Sequence, residues 1–239
     1  MVEVRSHKEI SSKFEIDFIS LDKILPHEEI IPRELERVKD SLKNDGELRY
    51  PIVVAKGYYV LLDGHHRWSA LLEMGYSQAP CILFDYFNDK AIMVDTWYPR
   101  VQIDFEIMIE QLRSLTSEAN FVSLRLTDPL EAKATVDGRK YGVILTNGID
   151  YVGVEDDREH IMKLLRSHFL REMVYYDSWE LATEEAKSHN HATVLTHSYS
   201  KAEIIDAARK GIVFTPKTTR HVIPRRYPRI NMPLGEIPK

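Results

Sequence analysis

The sequence predicts an α/β protein of two domains followed by an extended C-terminal tail. Three observations carry that expectation. Short apolar runs of strand type alternate with stretches of helical spacing along most of the chain. Near residue 101 the pattern shifts to longer helices among short strands, which puts a domain boundary there: 1–100, then 101–239. Residues 211–239 hold five prolines and read as a segment laid over a surface, dispensable for folding. The composition agrees. With 44% hydrophobic and 29% charged residues over 239 positions, there is ample material for a buried core. A formal net charge of −5 argues against a surface built wholly for nucleic acid. The single cysteine, Cys81, excludes an internal disulfide framework and fits a reducing, cytoplasmic setting. No apolar run approaches the roughly 18 residues of a membrane span, and MVEVRSHKEISSK lacks the apolar core of a signal peptide.

In chain order, Phe14, Ile16 and Phe18 alternate as in a strand. PRELERVKDSLKNDG opens with Pro32, sets Leu35, Val38 and Leu42 on one helical face, and stops at Gly46. IVVAK and YYVLL, split by Gly57, read as a hairpin. A helix over 65–74 ends at Gly75, with Trp68, Leu71 and Leu72 on its apolar stripe, and PCILFDY follows as a strand. Beyond residue 101, FEIMIEQLRSL, REHIMKLLRSHFLREM, SWELATEEAKSH and YSKAEIIDAARK read as helices, and YGVIL, MVYYD and TVLT as strands.

The stretch LLDGHHRWSALLEMG holds the sharpest signal. It sets Asp63 at the end of an apolar strand, and His65, His66 and Arg67 in the first turn of a helix. Cationic side chains are poorly suited to that turn unless an anion compensates them. The unpaired amides and positive dipole end make a phosphate the natural anion there, and Gly64 allows its close approach. The competing possibility is a plain helix start with Asp63 as its cap. A metal held by His65 and His66 is disfavoured, because adjacent helical residues diverge and no further ligands are signposted.

DGHHRWSALLEMG resembles the strand-turn-helix signature of the ParB/sulfiredoxin superfamily. Within it, LPHEEI around Glu28, DTWYP around Trp97 and TPKTTRHVIP near the C-terminus are similar to the free-serine kinases. The resemblance implies an α/β fold with a ParB/sulfiredoxin-like N-terminal domain. It also implies a kinase that moves a phosphoryl group from ADP or ATP, with Mg²⁺, to free L-serine. Gly64, His65, His66 and Arg67 would then hold the nucleotide phosphates. Glu28 would accept the hydroxyl proton, while Asp63 would orient that hydroxyl or meet Mg²⁺ directly or through water. Trp97 would wall the serine pocket, and Thr218, Thr219, Arg220 and His221 would supply donors to the amino-acid carboxylate. The donor stays open between ADP and ATP, and the product's destination between cysteine and serine metabolism.

Two rivals belong to other classes. A ParB-like DNA-binding regulator would use the seven Lys/Arg between Arg209 and Arg229, yet no helix-turn-helix follows the turn, so nucleic acid is not expected as a partner. A sulfiredoxin-like reductase needs a cysteine where His65 stands, and Cys81 lies in an apolar strand that disfavours a thiolate. Neither Gly-x-x-x-x-Gly-Lys-Ser/Thr nor Gly-x-Gly-x-x-Gly occurs, so kinase chemistry would have to use the DGHHR turn.

Overall fold

The computed structural model describes residues 16–88, 90, 92–223 and 227–239. Phe14, placed in the first predicted strand, lies outside them, as do Arg225 and Arg226 of the basic tail. In chain order the elements are β1 (Ile16–Ser20), α1 (Pro32–Asp45), β2 (Glu47–Leu48), β3 (Ile52–Ala55), β4 (Leu61–Asp63), α2 (His65–Glu73) and β5 (Gln78–Phe84). They continue with β6 (Met93–Asp95), β7 (Tyr98–Asp104), α3 (Phe105–Leu115), β8 (Asn120–Leu124), α4 (Pro129–Asp137), β9 (Val143–Thr146) and β10 (Tyr151–Glu155). Last come α5 (Arg158–Phe169), β11 (Met173–Tyr176), α6 (Trp179–His189), β12 (His191–Thr196), α7 (Lys201–Arg209), β13 (Arg220–Val222) and β14 (Met232–Pro233). None of these helices is long and apolar enough to cross a membrane.

The chain forms two compact units. The first takes in everything up to Met93, then Ser200–Pro216 and His221–Lys239; the second takes in Val94–Tyr199 and Lys217–Arg220.

The first unit is built on a four-stranded sheet in the order β1-β5-β3-β4. Only the β3–β5 pair is parallel; β1–β5 and β3–β4 are antiparallel, and the last pair is the hairpin expected from IVVAK and YYVLL. All four residues of β3 are buried, as befits a central strand rich in β-branched side chains. Helix α1 starts with Pro32 in its first turn and stops at Gly46, whose left-handed φ of 68° suits a residue without Cβ. Its Leu35 and Leu42 are buried, with Val38 packed partly against the same core. On α2 the buried side chains are Ala70 and Leu71, and Trp68 donates its indole N–H to the Leu21 carbonyl at 3.0 Å. Leu72, expected on the apolar stripe, is instead 46% exposed.

The tail is not a detachable strap. Its β14 pairs with β2, Ile237 is buried in the core of this unit, and Ile230, Met232 and Leu234 pack against that core. Truncation after Phe214 would strip these apolar side chains from it, which corrects the expectation that the tail is dispensable for folding.

The second unit is a six-stranded sheet in the order β11-β7-β12-β9-β10-β8, with every pair antiparallel. Val101, Phe105, Met108, Leu112, Val143, Leu145, Ile161, Leu165 and Val194 share one core cluster, joining α3 and α5 to the sheet. The helix predicted over 158–173 stops at Phe169, because the chain from Met173 pairs with β7.

Candidate active site

Strand β4 delivers Asp63, and Gly64 then turns the chain at φ 102°, ψ 28° to open α2. That conformation is open to glycine and strained for any other residue. A side chain in the turn would also press on Arg67. A Cβ at Gly64 would stand 3.0 Å from both Nε and Nη2 of Arg67, because the Arg67 guanidinium folds back across the glycine. Asp63 does not cap the helix: Gly64 holds the cap position, and no side chain bonds there. Asp63 Oδ2 instead accepts from Arg67 Nη2 at 2.7 Å and from the Tyr227 hydroxyl. Burial alone would raise the Asp63 pKa, but the Arg67 charge and the Tyr227 hydrogen bond outweigh it and hold the carboxyl below its ordinary range. Burial pushes the Tyr227 phenol up to about 12, and the Asp63 charge adds to that effect, so it stays a donor. The result is an anionic carboxylate and a cationic guanidinium fixed beside a helix N-terminus.

Behind the turn lies a group of three imidazoles. The buried His27 ring meets His65 edge-on at 4.8 Å between centroids and His221 at 5.6 Å. His221 Nε2 and the Tyr86 hydroxyl are 2.8 Å apart. Burial first, then the neighbouring His221, lowers the His65 pKa to about 3, and burial lowers that of His221 to about 4. Burial and the two other rings take His27 well below its ordinary value. His65 is therefore neutral near pH 7, which corrects the expectation of a cationic residue in the first helical turn. Its Nε2 is buried with no hydrogen-bond partner among the described residues. His66 turns elsewhere, and its Nε2 accepts the Ile31 amide at 3.1 Å, ahead of α1. That bond ties the two helix starts together.

Glu28 sits just before α1, partly buried. Its segment is held by backbone pairing to Phe214: the Phe214 amide donates to the His27 carbonyl at 2.9 Å, and the Glu29 amide to the Phe214 carbonyl at 3.0 Å. Glu28, Asp63, Gly64, His65, His66, Arg67 and His221 all belong to the first unit.

The remaining expected residues belong to the second unit. Trp97 lies past the end of β6, partly buried, with Lys217 Nζ 4.5 Å and the Arg220 guanidinium 5.7 Å from its ring centre. Arg220 also donates to Asp177 at 3.0 Å and lies 3.9 Å from Asp95. Thr218 and Thr219 are buried, and the Thr218 hydroxyl accepts from Arg158 at 3.1 Å. The sequence does not single out four residues found here: His27, Tyr227, Lys217 and Arg158. Two of them stand inside its motifs, His27 beside Glu28 in LPHEEI and Lys217 in TPKTTRHVIP. Cys81 is buried, and burial raises its thiol to about 12, which leaves no reactive thiolate there.

An acid–guanidinium pair stands at a glycine-opened helix start on a small mixed sheet, and residues 2–96, which contain it, match the ParB N-terminal domain. The whole-chain relatives are more specific. The ADP-dependent L-serine kinase SerK of Thermococcus kodakarensis is 30% identical over 95% of this chain and 95% of its own. An ATP-dependent L-serine kinase of Staphylothermus marinus is 28% identical over 92% and 90%. A solved free serine kinase in complex with AMP is 29% identical over 97% of this chain and 98% of its own, with a TM-score of 0.81. This chain belongs to the L-serine kinase family.

Proposed function

We propose that the protein phosphorylates free L-serine, with ADP or ATP as donor, to give O-phospho-L-serine. The observation that carries this reading is the Asp63–Gly64–Arg67 turn, in a chain of the serine kinase family. A left-handed glycine, amides without intrahelical acceptors and a fixed guanidinium suit a polyphosphate. In the proposed reaction Glu28 accepts the hydroxyl proton as the serine oxygen attacks the terminal phosphorus. The new P–O bond forms as the bond to the nucleotide oxygen breaks, and the nucleotide leaves one phosphate shorter. Gly64 and the first turn of α2 bind the phosphates, with Arg67 neutralising the leaving charge. Trp97 with Thr218, Thr219 and Arg220 takes the amino acid.

Mg²⁺ fits the donors present, since it favours hard oxygen ligands and is usually held by one or two carboxylates plus substrate phosphates. Asp63, ionised and oriented by Arg67 and Tyr227, would hold it with the nucleotide. When bound it would supply positive charge that offsets the charge of the phosphates. His65 and His221, neutral at pH 7, serve as hydrogen-bonding groups rather than cations. The lone buried cysteine fits work in a reducing cytoplasm, and the product would feed cysteine or serine metabolism. Incubation with L-serine, Mg²⁺ and either nucleotide, followed by mass analysis, should reveal phosphoserine. A mixture that yields none with ADP or with ATP refutes the reading.

A further inference from the structure

The second unit buries a cation where physical chemistry disfavours one. Arg158 opens α5, in the helix turn whose dipole end repels positive charge, and only 3% of it is exposed. Among the described residues, its hydrogen-bond partners lie within that unit. Nη1 donates to the Thr218 hydroxyl at 3.1 Å and bonds the Glu159 carboxylate. Nη2 donates to the Thr96 hydroxyl at 3.3 Å and the Thr196 hydroxyl at 3.5 Å, and the guanidinium lies 5.3 Å from the Tyr199 ring centre. Nε is buried with no hydrogen-bond partner among the described residues. A buried arginine with an unanswered N–H contributes little to stability compared with an apolar side chain of similar size.

What the guanidinium does is fix two short segments. Thr96 precedes Trp97, and Thr218 follows Lys217, so one planar group clamps the segments that meet across the Trp97 ring. Lys217 is held at φ 65°, a left-handed conformation rare for a residue with Cβ. Such strain persists only where the surroundings enforce it, and it gathers at ligand-binding segments. The clamp on Thr218 and the Lys217–Trp97 contact provide that enforcement.

We propose that Arg158 is a positioning residue for serine binding, holding Trp97 and the 217–220 segment in register through Thr96 and Thr218. The proposal rests on the reading of the protein as a serine kinase. It is tested with the full-length protein by measuring KM for L-serine, kcat, nucleotide Kd and the melting curve. Arg158→Lys keeps the charge but cannot span three hydroxyls, so KM for serine should rise about tenfold or more while nucleotide Kd stays within about twofold. Thr218→Val should raise KM for serine in the same way, and Thr218→Ser, which restores the hydroxyl, should return it near the parent value. A folded Arg158→Lys enzyme with the parent KM for serine overturns the proposal. If that variant does not fold, a Thr218→Val enzyme with the parent KM overturns it instead. Equal loss of nucleotide affinity and kcat in the variants would mark general structural damage and likewise defeat it. A parent enzyme that makes no phosphoserine defeats the kinase reading before any variant is made, and this proposal with it.

Discussion

The three imidazoles behind the Asp63–Arg67 turn should make the protein acid-sensitive in a calculable way. His27, His65 and His221 all have folded-state pKa values below the ordinary 6.5, mainly because burial penalises the imidazolium. As the pH falls below 6.5 the unfolded chain takes up protons that the folded chain refuses, so stability must fall with pH from there down towards the depressed folded values. From about pH 7 to about pH 5.5, a histidine that stays neutral in the fold loses on the order of 1 kcal/mol, and three lose about 4 kcal/mol together. For a domain of 150–250 residues that corresponds to a Tm about 8–16 °C lower. Urea unfolding at the two pH values measures the loss directly. His27→Gln removes one of the three, so whatever it does to stability at neutral pH, its loss on acidification should shrink by on the order of 1 kcal/mol. If parent and variant lose the same amount, the buried-neutral description of His27 is wrong.

Other expectations follow from the turn and its neighbours. Glu28→Gln keeps shape but cannot accept a proton; kcat should drop by about 10²–10⁴ with nucleotide affinity little changed, and near-normal kcat would shift the role to Asp63. Arg67→Ala should weaken nucleotide binding by about 1.5–3 kcal/mol, measured calorimetrically, while adenosine, which has no phosphate, binds both forms alike. Gly64→Ala must adopt a disfavoured φ and push against the Arg67 guanidinium; a stability loss of about 1–3 kcal/mol should accompany weaker nucleotide binding, and an unaffected variant would show that the turn relaxes freely.

Sequence and structure agree most closely where local chemistry decides the outcome. Pro32 and Gly46 mark the ends of α1, and the Asp63–Gly64 step marks the start of α2, because caps and left-handed glycines act within a few residues. Long-range partnership is the part that local pattern cannot carry. Helix α4 shows little amphipathic contrast, and only its Asp128 cap and Pro129 announce it. The helical pattern from Arg158 runs on to Met173, yet α5 stops at Phe169 and MVYYD, read as a strand, pairs with β7. In the site, Asp63 reads as a cap or a metal ligand until Tyr227, far along the chain, supplies the contact that orients it. The histidines read as cations until burial beside one another makes them neutral. The prolines of the tail read as surface, yet Ile237 among them completes a core.

The central claim is that the DGHHR turn presents a nucleotide whose terminal phosphoryl group passes to serine. Phosphorus NMR of the full-length protein with L-serine, Mg²⁺ and either ADP or ATP follows donor and product together. A phosphoserine resonance growing in one-to-one proportion with AMP from ADP, or with ADP from ATP, is the expected result. Nucleotide consumed to inorganic phosphate with no phosphoserine, or no consumption of either nucleotide, would contradict the claim.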